Sequence, residues 1–431
     1  MNSDFQKKEP TPFLRWSVLV FISLAMFGNY YVYDSISPLA DLLKKQLGFS
    51  DSNIGLLNGI YSLPNIFMVL IGGLIIDRIG TKKSAFLFSA LCMIGTLMTT
   101  FSGGSLVVMA AGRLVFGLGS ESLIVAITTV LAKWFKGKEL SLAFGLNLTI
   151  ARLGSFAALN SPTWAKDLYQ SWQAPLLISS TMAVVSVFSV IIYILLDIRA
   201  RRIFEMPEEQ KQDKIILSEI FSFKPSFWYI TLLCVTFYSA IFPFQTFAVK
   251  FFMEHHGLSR GAAGFASSVI TLGSMVGTPL FGYFIDRKGK RASLMILGSL
   301  MIVPVYLVMA YMPIDPRWMT AVMGLAFSLV PAAMWPSVAL IVEEKKLGTA
   351  YGLMTMIQNM GLTLFNFLIG WANDISTVNG LTDYSLGMWL FSITGFLGLI
   401  FAYLLRREET GEKANGLELG NEELRKLRPE L

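Results

Sequence analysis

Gly73-Leu74-Ile75-Ile76-Asp77-Arg78-Ile79-Gly80-Thr81-Lys82-Lys83 returns 209 residues later as Gly282-Tyr283-Phe284-Ile285-Asp286-Arg287-Lys288-Gly289-Lys290-Arg291. Glycine, aspartate, arginine and glycine keep the same spacing in both copies, and each copy leaves an apolar run and enters a basic one. A lone G-x-x-x-D-R carries little information. A duplicate half a chain away marks two related halves.

Outward from these copies the chain is a succession of apolar runs. A helix needs about 20 apolar residues to cross a hydrocarbon layer roughly 30 Å thick. Twelve runs meet that length, at 14–38, 54–77, 83–102, 105–133, 140–163, 173–197, 226–252, 262–285, 291–312, 317–342, 348–372 and 384–405. Each Gly-Asp-Arg copy falls between the second and third run of its half. The pattern predicts an all-α membrane protein of twelve transmembrane helices in two pseudo-symmetric six-helix halves. The expected divisions are an N-terminal tail over 1–13, a half over 14–197, a linker over 198–225, a half over 226–405 and a C-terminal tail over 406–431.

Composition requires the same class. Hydrophobic residues make up 54% and charged residues 15%, against about 25% charged in soluble domains. That balance excludes a soluble enzyme, a disordered chain and a secreted scaffold. Cys92 and Cys234 both sit inside apolar runs, which argues against a disulfide framework or a thiolate metal site. The net charge of +6 is no nucleic-acid footprint, because most of the basic residues gather on one face of the predicted spans. That asymmetry predicts both termini on the cytoplasmic side. His255 and His256 are adjacent and point apart on a helix, so no metal site is expected there. The end of the linker, Ile215 to Phe223, predicts a short interfacial helix, and the Glu-rich last 25 residues predict disorder.

Charges inside the membrane are costly and need a partner or a wet cavity. Arg113 and Glu121 on the fourth span and Arg152 on the fifth are the clear cases. Counted from the loop near Gly137, Glu121 and Arg152 lie at one depth on an antiparallel hairpin, about 23 Å in. Two readings stand: a buried ion pair pinning the hairpin, or a clamp in which Glu121 takes an ammonium and Arg152 a carboxylate. Arg113 opens Arg113-x-x-x-Gly117-x-Gly119, where it either bridges helix backbones or handles substrate or a proton; Asp34, inside the first span, reads as either a proton site or a structural residue. Tyr30 and Tyr33, Tyr61, Tyr238, Trp335, and Gln358 with Asn359 are candidate lining residues from spans one, two, seven, ten and eleven. Asp77, Arg78, Asp286 and Arg287 read either as a basic-face anchor with tight turns or as a conformational latch between the halves.

The paired loops and the span-four motif resemble the major facilitator superfamily. Ile60-Tyr61-Ser62-Leu63-Pro64-Asn65, Gly117-Leu118-Gly119-Ser120-Glu121-Ser122, Ala151-Arg152-Leu153-Gly154-Ser155, Phe242-Pro243-Phe244 and Ile357-Gln358-Asn359 resemble its lysosomal dipeptide transporter group. The resemblance implies alternating access, dipeptide substrates whose ends meet Glu121 and Arg152, facilitative uniport and no cofactor. Members of that group have an accessory glycosylated subunit, which this sequence does not itself imply. The stretch Met1–Leu14 holds no acidic-dileucine signal, and the one sequon, Asn147-Leu148-Thr149, lies inside span five. Those features, with short external loops, point to a bacterial cytoplasmic membrane rather than a lysosomal one. The remaining alternatives are a proton-coupled carrier of an amino acid or organic anion, and a non-transporting receptor or scaffold. No nucleophile constellation, metal cluster or nucleotide motif suggests an enzyme.

Overall fold

A computed structural model describes residues 10–135, 139–204, 223–343, 346–411, 414–420 and 423, and helices dominate it. In hydrocarbon an unpaired N–H or C=O costs several kcal/mol, so each apolar run closes its own hydrogen bonds as a helix. The order is α1 Pro12–Asp34, α2 Ala40–Leu47, α3 Asp51–Ile79, α4 Thr81–Thr100, α5 Leu106–Phe135, α6 Leu140–Leu159, the single turn α7 Ser161–Trp164, and α8 Gln173–Ile203. It continues with α9 Pro225–Glu254, α10 Arg260–Lys288, α11 Arg291–Tyr311, α12 Pro316–Ile341, α13 Leu347–Ile375 and α14 Ser385–Glu409. Among the described residues eleven helices are long and apolar enough to span a membrane, and counting the bent α3, turned by 58° between Met68 and Ile71, as one span makes twelve.

Joints follow local chemistry. Ser259 caps α10 by accepting from Ala262 N, and Asp315 caps α12 by accepting from Arg317 N, ahead of Pro316. Between α13 and α14, Asn379 and Gly380 carry the two positive-φ positions of a tight hairpin that pairs β1 Thr377–Val378 with β2 Leu381–Thr382. Sequence reading misses this hairpin, although Asn-Gly is its usual signal.

Two further expectations change. The apolar run places the end of the first span at 38, but α1 stops at Asp34. A 3-10 turn at Ser37–Leu39 and the separate helix α2 follow. Pro38 has no N–H to donate to the Asp34 carbonyl, so the α-helical ladder does not continue past it, and α2 buries Leu42 and Leu43 while Lys45 stays exposed. Composition predicts disorder for the tail after α14, yet residues 414–420 fold back and bury Leu417. The expected interfacial helix before Phe223 falls on 205–222, outside the described residues.

The chain divides into two compact units. The first comprises Met1–Tyr33, Phe67–Ala157 and Leu176–Gln212; the second comprises Asp34–Ile66, Ala158–Pro175 and Asp213–Leu431. In the first unit α4 and α5 pack backbone to backbone. A Cβ on Gly119 would lie 2.4 Å from the Phe88 carbonyl oxygen, so only glycine allows that approach.

The second unit has an aromatic core in which Phe244, Phe251, Tyr306 and Phe391 meet at ring spacings of 5.1–6.4 Å. Pro243 interrupts the hydrogen-bond ladder of α9, and the buried Tyr306 hydroxyl donates to the Ala240 carbonyl at 2.7 Å beside that break.

One end of the second unit is a seam joining α3 to α9 and α13. The Asp374 carboxylate accepts from Asp51 N at 2.7 Å and Ser52 N at 2.8 Å, capping α3 from another helix. Side chains added at Gly55 and Gly370 would collide with the Asn366 and Asp51 carbonyls at 2.2 and 2.3 Å. At the same end Arg260 forks onto Asp41 and the Pro38 carbonyl.

Candidate functional site

In the first unit, α5 carries Arg113 and Glu121, and α6 carries Arg152. Four residues of sequence, 136–139, separate the two helices. Glu121 is 14 residues before the end of α5 and Arg152 is 12 residues into α6. At a rise of about 1.5 Å per residue they lie roughly 21 and 18 Å from that connection, at nearly one level. Both are partly buried. The Arg152 guanidinium sits 5.5 Å from the centre of the Tyr30 ring, which joins a third candidate to the pair through a cation–π contact.

Arg113 is 2% exposed and donates to the Val32 carbonyl at 3.2 Å and the Tyr33 carbonyl at 3.3 Å. Those are the carbonyls at the end of α1, which a helix leaves without internal partners. Arg113 thus ties α5 to that end, one residue before α1 finishes at Asp34. Of Tyr33, the backbone carbonyl is what Arg113 engages.

The candidates of the second unit form an aromatic group. Trp335 Nε1 donates to the Tyr238 hydroxyl at 2.9 Å, and Tyr351 stacks on Trp335 at 6.1 Å while donating to its carbonyl. Tyr238 stacks on Phe242 at 5.6 Å and meets the edge of Phe327. Tyr351 and Phe327 are absent from the sequence candidates, because single aromatics in an apolar chain give no signal of grouping. Gln358 accepts a weak bond from the Cys234 thiol at 3.4 Å. Asn359 is buried and donates to Thr355 in its own helix, and Tyr61 is buried with its carbonyl accepting from Asn65.

The two Gly-Asp-Arg copies have different partners. Asp77 and Arg78 are exposed. Lys82, which follows the first copy, pairs at 3.1 Å with the wholly buried Asp197, which also meets Arg201 at 2.8 Å and Lys133 at 3.8 Å. In the second copy Asp286 pairs with Arg291 at 3.5 Å, and Arg287 stacks on Tyr283 at 4.6 Å.

Sequence reading also passes over Lys250, although it lies inside the seventh apolar run. Its Nζ reaches both Asp51 oxygens, at 2.5 and 2.6 Å, and Glu254 at 3.8 Å, with the Lys250 and Asp51 side chains fully buried. An ionisable residue in a span is the signal available there. Glu254 in turn accepts from the Tyr384 hydroxyl at 2.6 Å. His255 Nε2 lies 3.1 Å from the Ala310 carbonyl, and burial together with neighbouring His255 lowers the His256 pKa. Among the described residues no group of three or more metal-ligating side chains comes together.

Comparison with known proteins identifies the family and the fold. The profile of the Major Facilitator Superfamily matches residues 22–320 and 242–429. The lysosomal dipeptide transporter MFSD1 of Homo sapiens is 32% identical over 412 residues, covering 92% of this chain and 87% of that protein. Its counterpart in Gallus gallus is 34% identical over 373 residues, covering 84% and 79%. The crystal structure of nucleoside transporter NupG superposes with a TM-score of 0.72 at 15% identity, over 93% of this chain and 100% of that one, and so speaks for the fold. With twelve apolar helices, a duplicated Gly-Asp-Arg loop and these relatives, the chain is a multi-pass membrane transporter rather than an enzyme, and it belongs to the Major Facilitator Superfamily.

Proposed function

We propose that the protein moves dipeptides across a membrane by alternating access. Glu121 holds the peptide ammonium and Arg152 its carboxylate. What supports this reading is that α5 and α6 carry charges of opposite sign at nearly equal distances along the helices from their connection, inside apolar spans where unsolvated charges are costly. Relatives named as dipeptide transporters, 32–34% identical, support the substrate class. An extended dipeptide separates its charged ends by about 7 Å, which sets the gap the two side chains must span. Arg152 lies against Tyr30, so a carboxylate would meet a guanidinium already oriented by a ring.

Within this reading Tyr238 and Trp335 belong to the substrate path, and Asp77, Arg78, Asp286 and Arg287 serve as latches in the cycle. Transport is facilitative, with Glu121 serving the substrate and not a coupled proton. Alternating access in this reading engages both six-helix halves, 14–197 and 226–405. The basic asymmetry puts both termini on the cytoplasmic side, and short external connections favour a bacterial cytoplasmic membrane.

A thermal-shift panel on purified protein tests the substrate. A ligand of the folded state stabilises it by RT ln(1 + [L]/Kd), so millimolar binders register at high concentration. Free dipeptides should raise the melting temperature, and dipeptides blocked at either end should not. A shift by single amino acids or organic acids, with none by dipeptides, would return Glu121 and Arg152 to a structural or proton-handling role.

A further inference from the structure

The segment after α14 binds the second Gly-Asp-Arg loop as a peptide ligand binds a receptor. Lys290 N donates to the Glu418 carbonyl at 3.1 Å, and Arg291 N donates to the Leu417 carbonyl at 2.8 Å. Arg291 Nη1 adds a bond of 3.1 Å to the Leu419 carbonyl. The Glu418 carboxylate then reaches the first turn of α11, accepting from Ser293 N at 2.9 Å and from the Ser293 hydroxyl at 2.7 Å. Three consecutive carbonyls are therefore read, two by main-chain N–H groups and one by the Arg291 guanidinium, and an acidic side chain is read at a helix N-terminus, where free N–H groups and the helix dipole favour a carboxylate.

The loop is shaped for this occupant. Gly289 adopts φ +67, and a Cβ there would lie 2.2 Å from the Leu419 carbonyl carbon. Gly420 makes the reciprocal approach, since a Cβ on it would lie 2.6 Å from the Arg287 carbonyl oxygen. Leu417 is wholly buried in the apolar core of the second unit. A second anchor precedes the strap: the buried Glu409 carboxylate accepts from Ser226, Asn415 N and Asn415 Nδ2 at 2.6–2.8 Å.

We propose that the loop from Gly289 to Ser293 is a docking site for an acidic, leucine-flanked peptide, and that the chain's own Leu417-Glu418-Leu419 occupies it as a displaceable strap. Its ligand chemistry is an extended Leu-Glu-Leu segment followed by glycine. The repeat gives Arg291 and Gly289 the same places as Lys82 and Gly80, but Lys82 turns to the Asp197 carboxylate within its own unit. The peptide site therefore belongs to the second copy alone among the described contacts. While docked, the strap fixes the α10–α11 connection and ties it to the start of α9 through Glu409 and Ser226.

Hydrogen exchange at the Lys290, Arg291 and Ser293 amides tests the proposal without reference to any transported substrate. In the full chain these amides should be protected. A chain shortened after Gly411 should exchange them at least tenfold faster, and a synthetic peptide of residues 414–420 should restore protection saturably. The same peptide carrying Glu418→Gln should restore it poorly. Full-chain Glu418→Gln and Leu417→Asp keep the test decisive where the shortened chain does not fold, and both should speed exchange at these three amides. Unchanged exchange in the variants, or a folded shortened chain that the wild-type peptide does not protect, overturns the strap.

Discussion

Lys250 on α9 and Asp51, the first residue of α3, form an ion pair with both side chains entirely buried. The pair does not stand alone, because Asp374 caps the same end of α3 and Glu254 flanks the lysine. Burying two charges is repaid only when each keeps its partner, so the consequence of losing one is asymmetric. Lys250→Met should lower stability by about 3 kcal/mol, the low end for breaking a buried pair, because it leaves the buried Asp51 carboxylate with only Lys44 at 3.8 Å as a cation. Lys250→Met combined with Asp51→Asn should recover much of that loss. Unfolding of the two single variants and the double variant measures the coupling. Additive losses would mean that the pair contributes nothing as a pair.

Arg113 holds two carbonyls at the end of α1, so its role is read as architectural. Arg113→Lys cannot reproduce the fork onto Val32 and Tyr33, and should cost about 1–3 kcal/mol of stability. Dipeptide affinity should remain within about twofold of the parent, by titration calorimetry. A large loss of affinity with unchanged melting would move Arg113 into the substrate site.

The Trp335–Tyr238 hydrogen bond orders the aromatic group of the second unit. Trp335→Phe removes the donor and retains a ring. Binding of dipeptides with aromatic side chains should weaken about fivefold, equivalent to roughly 1 kcal/mol, while dialanine binding stays constant. Equal weakening of both peptides would show a general change of fold instead.

His256 gives a pH signature. Burial and the neighbouring His255 hold its pKa below the ordinary 6.5, so the unfolded chain binds this proton more readily than the folded one. Stability contributed at this site is therefore full above about pH 6.5 and declines as pH falls toward the lowered folded value. His256→Gln should remove that decline, so the variant's melting temperature should gain on the parent's as pH is lowered from 7.5 to 5. A gap independent of pH would show that His256 does not titrate between the two states.

How much of this is legible in sequence depends on the range of the interaction. Helices can be read because hydrocarbon forces each apolar run to satisfy its own backbone, and the repeat predicts two related halves. Glu121 and Arg152 stand out because a charge in a span has few reasons to be there. Lys250 offers the same signal, but its position near the end of a span lets it pass as a loop residue. Its partner Asp51 lies 199 residues away, and nothing in local pattern pairs them. The strap escapes for a related reason: a charged, Glu-rich segment reads as disorder until its receptor loop, more than 120 residues upstream, is known.

Counterflow in liposomes tests the central claim most directly. Vesicles loaded with an unlabelled dipeptide should take up the same labelled dipeptide, and should do so without an imposed pH gradient. Glu121→Gln should lose most uptake of the free dipeptide, and Arg152→Gln should do the same, with both variants still folded. Robust dipeptide counterflow in both variants, or none in the parent alongside clear counterflow of an amino acid or organic acid, would contradict the account.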